Sequence, residues 1–325
     1  MLQVSDLHRQ ADSRLAAVPG NPKKLVLLHT AIALGCSLFL TVATYLFSLG
    51  IADTGGLGGL GMRSLLATAQ SVLELAVMVA LPFWQMGIFY AVSEWLKGEK
   101  AEFSSLWEGF RRFGSVLGVL FLRGSLFFAL AITILYISTA VFMMTSYATP
   151  VMELFAPIME QGATPEQLEA LLTPEVLESA STAIIPLLII FGILYAIVAI
   201  PVFYRLRFTS FALMEGLSAG KALVKSLAIT RKQGWQVFRL DLSFWWFYLL
   251  QMLSVAVCYA DSILPALGVT LPVSGVGAAF GFYVLGCICQ CILLWLREGH
   301  RLTTYGLAYH TLDGTMDAEI VDTQA

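Results

Sequence analysis

The chain has 325 residues, of which 58% are hydrophobic and only 13% charged, and its mean hydropathy is +0.78. These values exclude a soluble globular domain and indicate an integral membrane protein. The formal net charge of -3 is uninformative by itself, because membrane topology follows local Lys and Arg bias rather than the total.

Apolar runs long enough to span as helices occupy 25–49, 65–90, 124–145, 184–204, 243–260 and 273–296. The expected fold class is all-α: a polytopic membrane protein with six transmembrane helices, two amphipathic cytoplasmic surface helices and a short helical acidic outer segment. The membrane domain covers 25–296, between polar tails at 1–24 and 297–325. The first tail has no apolar core and no small-residue cleavage site, so no cleaved signal peptide is expected. Eighteen of the nineteen Lys and Arg residues fall in the two tails and the second and fourth connections, leaving Arg63 alone opposite. Both termini are therefore expected to be cytoplasmic, in a cell membrane.

In chain order, His29 lies near the inner end of the first span, as an interfacial histidine. Between the first two spans, Gly56, Gly58 and Gly61 match a Gly-x-Gly-x-x-Gly pattern. No strand precedes it, so the segment 54–61 is read as a turn rather than a dinucleotide site. The second span carries Glu74, the one ionisable residue deep in a run, about 14 Å from its outer end at helical rise. An intramembrane acid is a candidate proton relay or cation site, or a structural hydrogen-bonding partner. Gln70, Gln85, Gln251 and Gln290 suit interhelical hydrogen bonds, and Pro82 and Pro201 suit kinks.

In the second connection, Phe103, Leu106, Trp107, Phe110 and Phe113 recur at helical spacing behind a Ser105–Glu108 capping box. A surface helix is expected there, with Arg111 and Arg112 near lipid phosphates. The third connection holds Glu153, Glu160, Glu166, Glu169, Glu175 and Glu178 without a cation. Its Thr164-Pro165-Glu166 and Thr173-Pro174-Glu175 sequences each signal a helix start. It reads as a solvated acidic cap, or more sharply as a vestibule that concentrates cations. In the fourth connection a helix beginning near Ser218 presents Ala219, Ala222, Leu223, Ser226 and Leu227 on one face. Lys221 and Lys225 lie on another, with Arg231 and Lys232 beyond. Gly277 and Gly281 form a Gly-x-x-x-Gly pair that suggests close packing of the last span.

All five cysteines lie in apolar runs, so neither a disulfide framework nor a metal centre is expected. Of Cys287, Cys289 and Cys291, only the first and last share a helix face, because successive thiols in the run lie about 200° apart. No catalytic signature occurs. Gly216-Leu217-Ser218-Ala219-Gly220-Lys221-Ala222 is one spacer short of a phosphate loop and lacks the Ser or Thr after the lysine.

The two cation-rich hairpins align with each other. Pro82 precedes Arg111 and Arg112 by 29 and 30 residues, and Pro201 precedes Arg231 and Lys232 by 30 and 31. A parallel repeat would relate them. It sets Arg123 opposite Asp241, which suggests a structural ion pair between the two.

The chain also resembles a bacterial integral-membrane family catalogued as domain of unknown function 975. The resemblance rests on Ile200-Pro201, Ala222, Ser226, Gly234, Phe238, Leu240-Asp241-Leu242-Ser243-Phe244 and Trp246. Upstream it includes Pro82-Phe83-Trp84-Gln85-Met86-Gly87 and Leu106-Trp107-Glu108-Gly109-Phe110-Arg111-Arg112-Phe113-Gly114. Val202 and Glu215-Gly216-Leu217 depart from its pattern, which has a glycine after the Ile-Pro pair and an Asp-x-Pro near the start of the surface helix. The resemblance implies a multi-span bacterial membrane protein and supplies no catalytic residue.

The expected function is non-enzymatic and without cofactor: binding or transport of a lipid, small molecule or peptide through the bundle. The alternative is a structural or regulatory module whose basic surface helices bind anionic lipids or a cytoplasmic partner. Membrane lipids are the expected partners, with self-association open and no nucleic acid.

Overall fold

The computed structural model describes residues 3–53, 57–149, 152, 174–269 and 276–314, and the described residues form helices and connections without a strand. Twelve α-helices are used below: α1 (Val4–Ala17), α2 (Pro22–Asp53), α3 (Leu57–Leu96), α4 (Glu108–Arg111), α5 (Phe113–Met143), α6 (Pro174–Arg205), α7 (Thr209–Met214), α8 (Ala219–Thr230), α9 (Gly234–Ser243), α10 (Trp245–Cys258), α11 (Ala260–Ala266) and α12 (Val276–Asp313). Among the described residues, five stretches are long and apolar enough to cross a membrane: Pro22–Ala43, Ala67–Leu96, Phe113–Met143, Ile184–Met214 and Gly277–Asp313. The pair α9–α10, bent by 59°, supplies a sixth if it counts as one span. The all-α polytopic fold read from the sequence is the one observed.

The fifth span breaks at Phe244, whose N–H donates to Asp241 O at 3.0 Å and whose O accepts from Phe247 N–H at 2.9 Å. These three-residue bonds interrupt the α ladder and turn the chain. Asp241 therefore sits in the last turn of one short helix rather than at the start of a long one.

The chain divides into two compact units, one of residues up to Gly118 together with those from Arg207 onward, the other Val119–Leu206. In the first unit α12 is the central element and packs against α1, α2, α3 and α10. It runs past the sixth apolar stretch to Asp313, and every residue from Leu302 to Tyr309 is buried. Phe208 and Phe211 meet Tyr309 at 5.8 Å each, and Phe211 stands edge-on to Phe89 at 5.1 Å. Trp95, Phe83, Leu106 and Leu213 are likewise fully buried. The α12 part of this core, Leu302–Tyr309, follows the continuous apolar run of that helix, which ends at Leu296.

The first cation-rich connection differs from the expected amphipathic helix. It opens with a 3-10 turn over Phe103–Trp107 followed by the single turn of α4. Glu102, not Ser105, caps it: Glu102 N–H donates to Ser105 Oγ at 3.2 Å, and Ser105 Oγ donates to Glu94 Oε2 at 2.7 Å. The tighter turn moves the box three residues upstream and draws the apolar side chains back onto α3. Phe110 and Phe113 stack on Phe83 at 5.6 and 4.7 Å. Two glycines permit this contact, since a Cβ on Gly87 would overlap the Leu106 carbonyl and one on Gly109 the Phe83 carbonyl.

The helix expected near Ser218 begins there, with Ala222, Ser226 and Thr230 buried at four-residue intervals. The turn expected over 54–61 is helical from Leu57, and 54–56 lie outside the described residues. A Cβ on Gly277 or Gly281 would meet no described atom, whereas one on Gly286 would overlap Cys258 and the Ser254 carbonyl. The close helix approach thus falls five residues later than the Gly-x-x-x-Gly pair suggested. It occurs where Gly286 faces α10.

In the second unit, the Arg123 guanidinium lies over Phe127 at 5.9 Å and Phe203 at 5.3 Å. Pro174 opens α6, matching its expected place in a first turn, but that helix continues unbroken into the fourth span. Thr164-Pro165-Glu166 and the neighbouring acidic residues up to Glu169 lie outside the described residues.

Candidate functional site: a polar cavity among four helices

Four helices of the first unit enclose a cavity of about 310 Å³. From α2 come His29, Thr30, Ala33 and Leu34; from α3, Gln85 and Phe89; from α10, Tyr248 and Gln251; from α12, Glu298, Arg301 and Leu302. The polar lining has a local cause in each helix. His29 and Thr30 sit about two turns into α2, and Glu298 and Arg301 are one turn apart just past the apolar stretch of α12.

Arg301 and Glu298 form a two-pronged pair, with Nε to Oε2 at 2.8 Å and Nη2 to Oε1 at 2.6 Å. Their side chains are only 16% and 15% exposed, so the matched fork geometry offsets much of the cost of desolvating them. Arg301 also lies over Phe247 and Tyr305 at 5.6 and 5.7 Å.

A second pair braces the wall behind Tyr248. Arg207 Nη2 donates to Asp241 Oδ1 at 3.1 Å, and Tyr248 Oη donates to the same oxygen at 3.0 Å. The Tyr248 and Tyr305 hydroxyls are 3.3 Å apart, and Arg207 stacks over the Tyr305 ring at 4.6 Å. Asp241, one half of the pair expected with Arg123, is thus held by Arg207, one of the cations of the fourth connection.

His29 is 9% exposed. Its ring stacks on Trp84 at 5.8 Å, and Trp84 Nε1 donates to the His29 carbonyl at 3.1 Å. Its Nε2 is buried without a hydrogen-bond partner among the described residues. A buried orphan of this kind is costly unless something in the cavity meets it. Gln85 and Gln251 add two amides from opposite helices, each able to donate and accept. The cationic and anionic groups of the lining balance, and the formal charges are already paired. The cavity therefore suits a neutral or zwitterionic polar molecule with donors and acceptors, rather than a bare ion.

Glu74 does not line this cavity. It is exposed on α3 and accepts a hydrogen bond from Gln70 Nε2 at 2.8 Å, one turn away on the same helix. Gln85, eleven residues further along α3 and so about 16 Å along its axis, is the α3 residue that contributes an amide to the cavity.

The cations expected at the surface divide into two sets. Arg112 donates to Glu108 at 3.1 Å and to the Leu213 and Met214 carbonyls at 3.2 Å each, closing the C-terminus of α7. Lys225 bridges Glu215 at 2.7 Å and Asp313 at 2.8 Å. Burial opposes its charge, yet the two carboxylates hold its pKa above the ordinary lysine value. Arg111, Lys221, Arg231 and Lys232 are exposed, with Arg111 3.5 Å from Glu108. Among the described residues no cluster of His, Cys, Asp and Glu could hold a metal ion.

Compared with known protein families, with curated proteins and with solved structures, the chain shows no match.

Proposed function

We propose that this membrane protein binds a small polar molecule, neutral or zwitterionic, in the cavity between α2, α3, α10 and α12, and carries it without chemical change. The observation behind this reading is the orphaned Nε2 of His29, buried in a lining that also holds Gln85, Gln251, Tyr248 and a self-neutralised Arg301–Glu298 pair. A volume near 310 Å³ is at the lower end of the range for small-molecule sites. With both termini cytoplasmic, the cavity opens near the inner membrane face, where a soluble metabolite is available. The resemblance to the bacterial family supports a location in the cell membrane.

The test is native mass spectrometry of the full chain purified from its own membrane. An adduct of metabolite size is expected, and it should be lost when Gln85→Leu and Gln251→Leu make both amide walls apolar. A protein carrying only lipids, or an adduct retained equally by the double variant, would overturn the reading.

A further inference from the structure

A second cavity, of about 420 Å³, lies in the first unit between the α1–α2 junction and α12. Its polar wall is Asn21, Lys23, Arg297, His300 and Asp12, and its apolar wall includes Leu15, Val26, Trp295 and Leu296. Two boundaries coincide here. The apolar stretch of α2 begins just after Lys23 and Lys24, and that of α12 ends at Leu296, next to Arg297. A cavity whose two helices change from charged to apolar at the same level sits at the membrane–water interface, and Trp295 is the residue type that favours that depth.

The charge there is unbalanced. Asp12 is the one carboxylate of the lining, its Oδ1 2.8 Å from His300 Nδ1, against the two cations Lys23 and Arg297. Among the described residues neither Lys23 nor Arg297 has a carboxylate partner. Arg297 is fixed over the Trp246 ring at 5.2 Å, which orients its guanidinium without neutralising it. The N-terminus of the 32-residue α2 opens into the same space and adds its partial positive charge. Below the cations, Leu296 and Ile292 are exposed one turn apart on α12 and continue the apolar wall into the span.

We infer that this cavity binds the phosphate of an anionic glycerophospholipid, with Lys23 and Arg297 on the phosphate and the acyl chains along α12. The site is separate from the polar cavity and from the exposed surface cations. Free inorganic phosphate shares the headgroup chemistry but would gain nothing from Trp295, Leu296 and Ile292.

The experiment is a native mass-spectrometric titration of the full-length protein in detergent with phosphatidylglycerol and, separately, phosphatidylcholine of the same chains. Phosphatidylglycerol should bind about tenfold tighter or more, the order two cations at a membrane surface provide. The variant Lys23→Gln/Arg297→Gln should lose that preference, while Lys221→Gln/Lys232→Gln should keep it. Equal binding of the two lipids, or a preference surviving in Lys23→Gln/Arg297→Gln, would overturn the inference. Displacement of phosphatidylglycerol by millimolar inorganic phosphate, with the phosphate itself bound as tightly, would show a free-anion site and overturn the lipid assignment. Should the double variant fail to fold, Ala16→Trp fills the cavity without altering a charge and should abolish the preference in the same way. These outcomes leave the polar-cavity reading untouched, since none of the substituted residues lines it.

Discussion

Asp241 shows how one side chain's role depends on where the backbone turns. The break at Phe244 ends α9 two residues after Asp241, so its carboxylate meets Arg207 and Tyr248 inside the protein rather than lipid headgroups. Arg207 and Asp241 are 20% and 11% exposed, and a mostly buried pair costs far more to break than to replace. Asp241→Ala should therefore destabilise the protein by about 2–3 kcal/mol, below the fully buried range because some solvent reaches Arg207. Arg207→Ala should cost a similar amount. The double variant should fall short of the sum by about 1 kcal/mol or more, the non-additivity expected of contacting residues. Thermal midpoints in one detergent would measure all four corners, and an additive cycle would sink the coupling. The sequence placed Asp241 at a depth where a charge needs a partner, and that physical demand is met. The partner's identity was not legible, because Arg207 is 34 residues away and only the turn through α7 and the bend at Phe244 bring it close. His29 similarly reads in the sequence as an ordinary interfacial histidine, since nothing there reveals that its Nε2 is buried without a partner among the described residues.

At the level of elements, α1 illustrates a helix held by a few specific contacts. Leu7 and Ala11, one turn apart, are its two buried side chains, and His8 supplies its polar attachment. His8 Nδ1 lies 2.8 Å from His300 Nε2, and its Nε2 lies 2.9 Å from Ser243 Oγ. Burial lowers the pKa of His8 below the ordinary histidine value, and His300 lowers it further, against a smaller opposite pull from Asp12. The folded pKa thus lies below the unfolded one, so the undocked helix binds more protons and docking strengthens with rising pH. Docking is at full strength above about pH 6.5 and weakens as the pH falls through that value toward the lowered one. Hydrogen exchange over residues 4–17, corrected for its intrinsic pH dependence, should accelerate between pH 7.5 and 5.5. His8→Phe should remove most of that acceleration, because Phe fills the space beside Phe244 without titrating. Protection that is flat with pH in the unmodified protein would refute the attachment. This helix is not legible in the sequence, because with only two buried side chains in fourteen residues α1 lacks the long apolar stripe that periodicity detects.

Across the whole molecule, the spans were legible and the core of the first unit was not, for one reason. Lipid demands long apolar runs but gives apolar side chains little reason to bury against one another. Composition therefore marks the helices that cross, with Ile288, Ile292 and Leu296 left exposed. The packed layer built from Trp95, Phe208, Leu307 and Tyr309 occupies segments that composition assigns to connections and a tail. Its helices alternate apolar and polar residues over short stretches and carry most of the cations, including Lys225 and Arg112 in defined pairs. The same distribution predicts the orientation. With eighteen of nineteen Lys and Arg residues in the two tails and the second and fourth connections, moving those segments across the membrane would oppose the charge bias that sets topology in short loops. This layer and both termini should accordingly lie in the cytoplasm, and the acidic third connection outside. Single cysteines placed at Gly314, at Ser218 and at Thr164 in a cysteine-free background test this with a membrane-impermeant maleimide. In intact cells only the Thr164 position should label, and the other two should react only after the membrane is permeabilised. Labelling at Gly314 without permeabilisation would reverse the orientation, and with it the cytoplasmic access on which the polar cavity's role as a solute site depends.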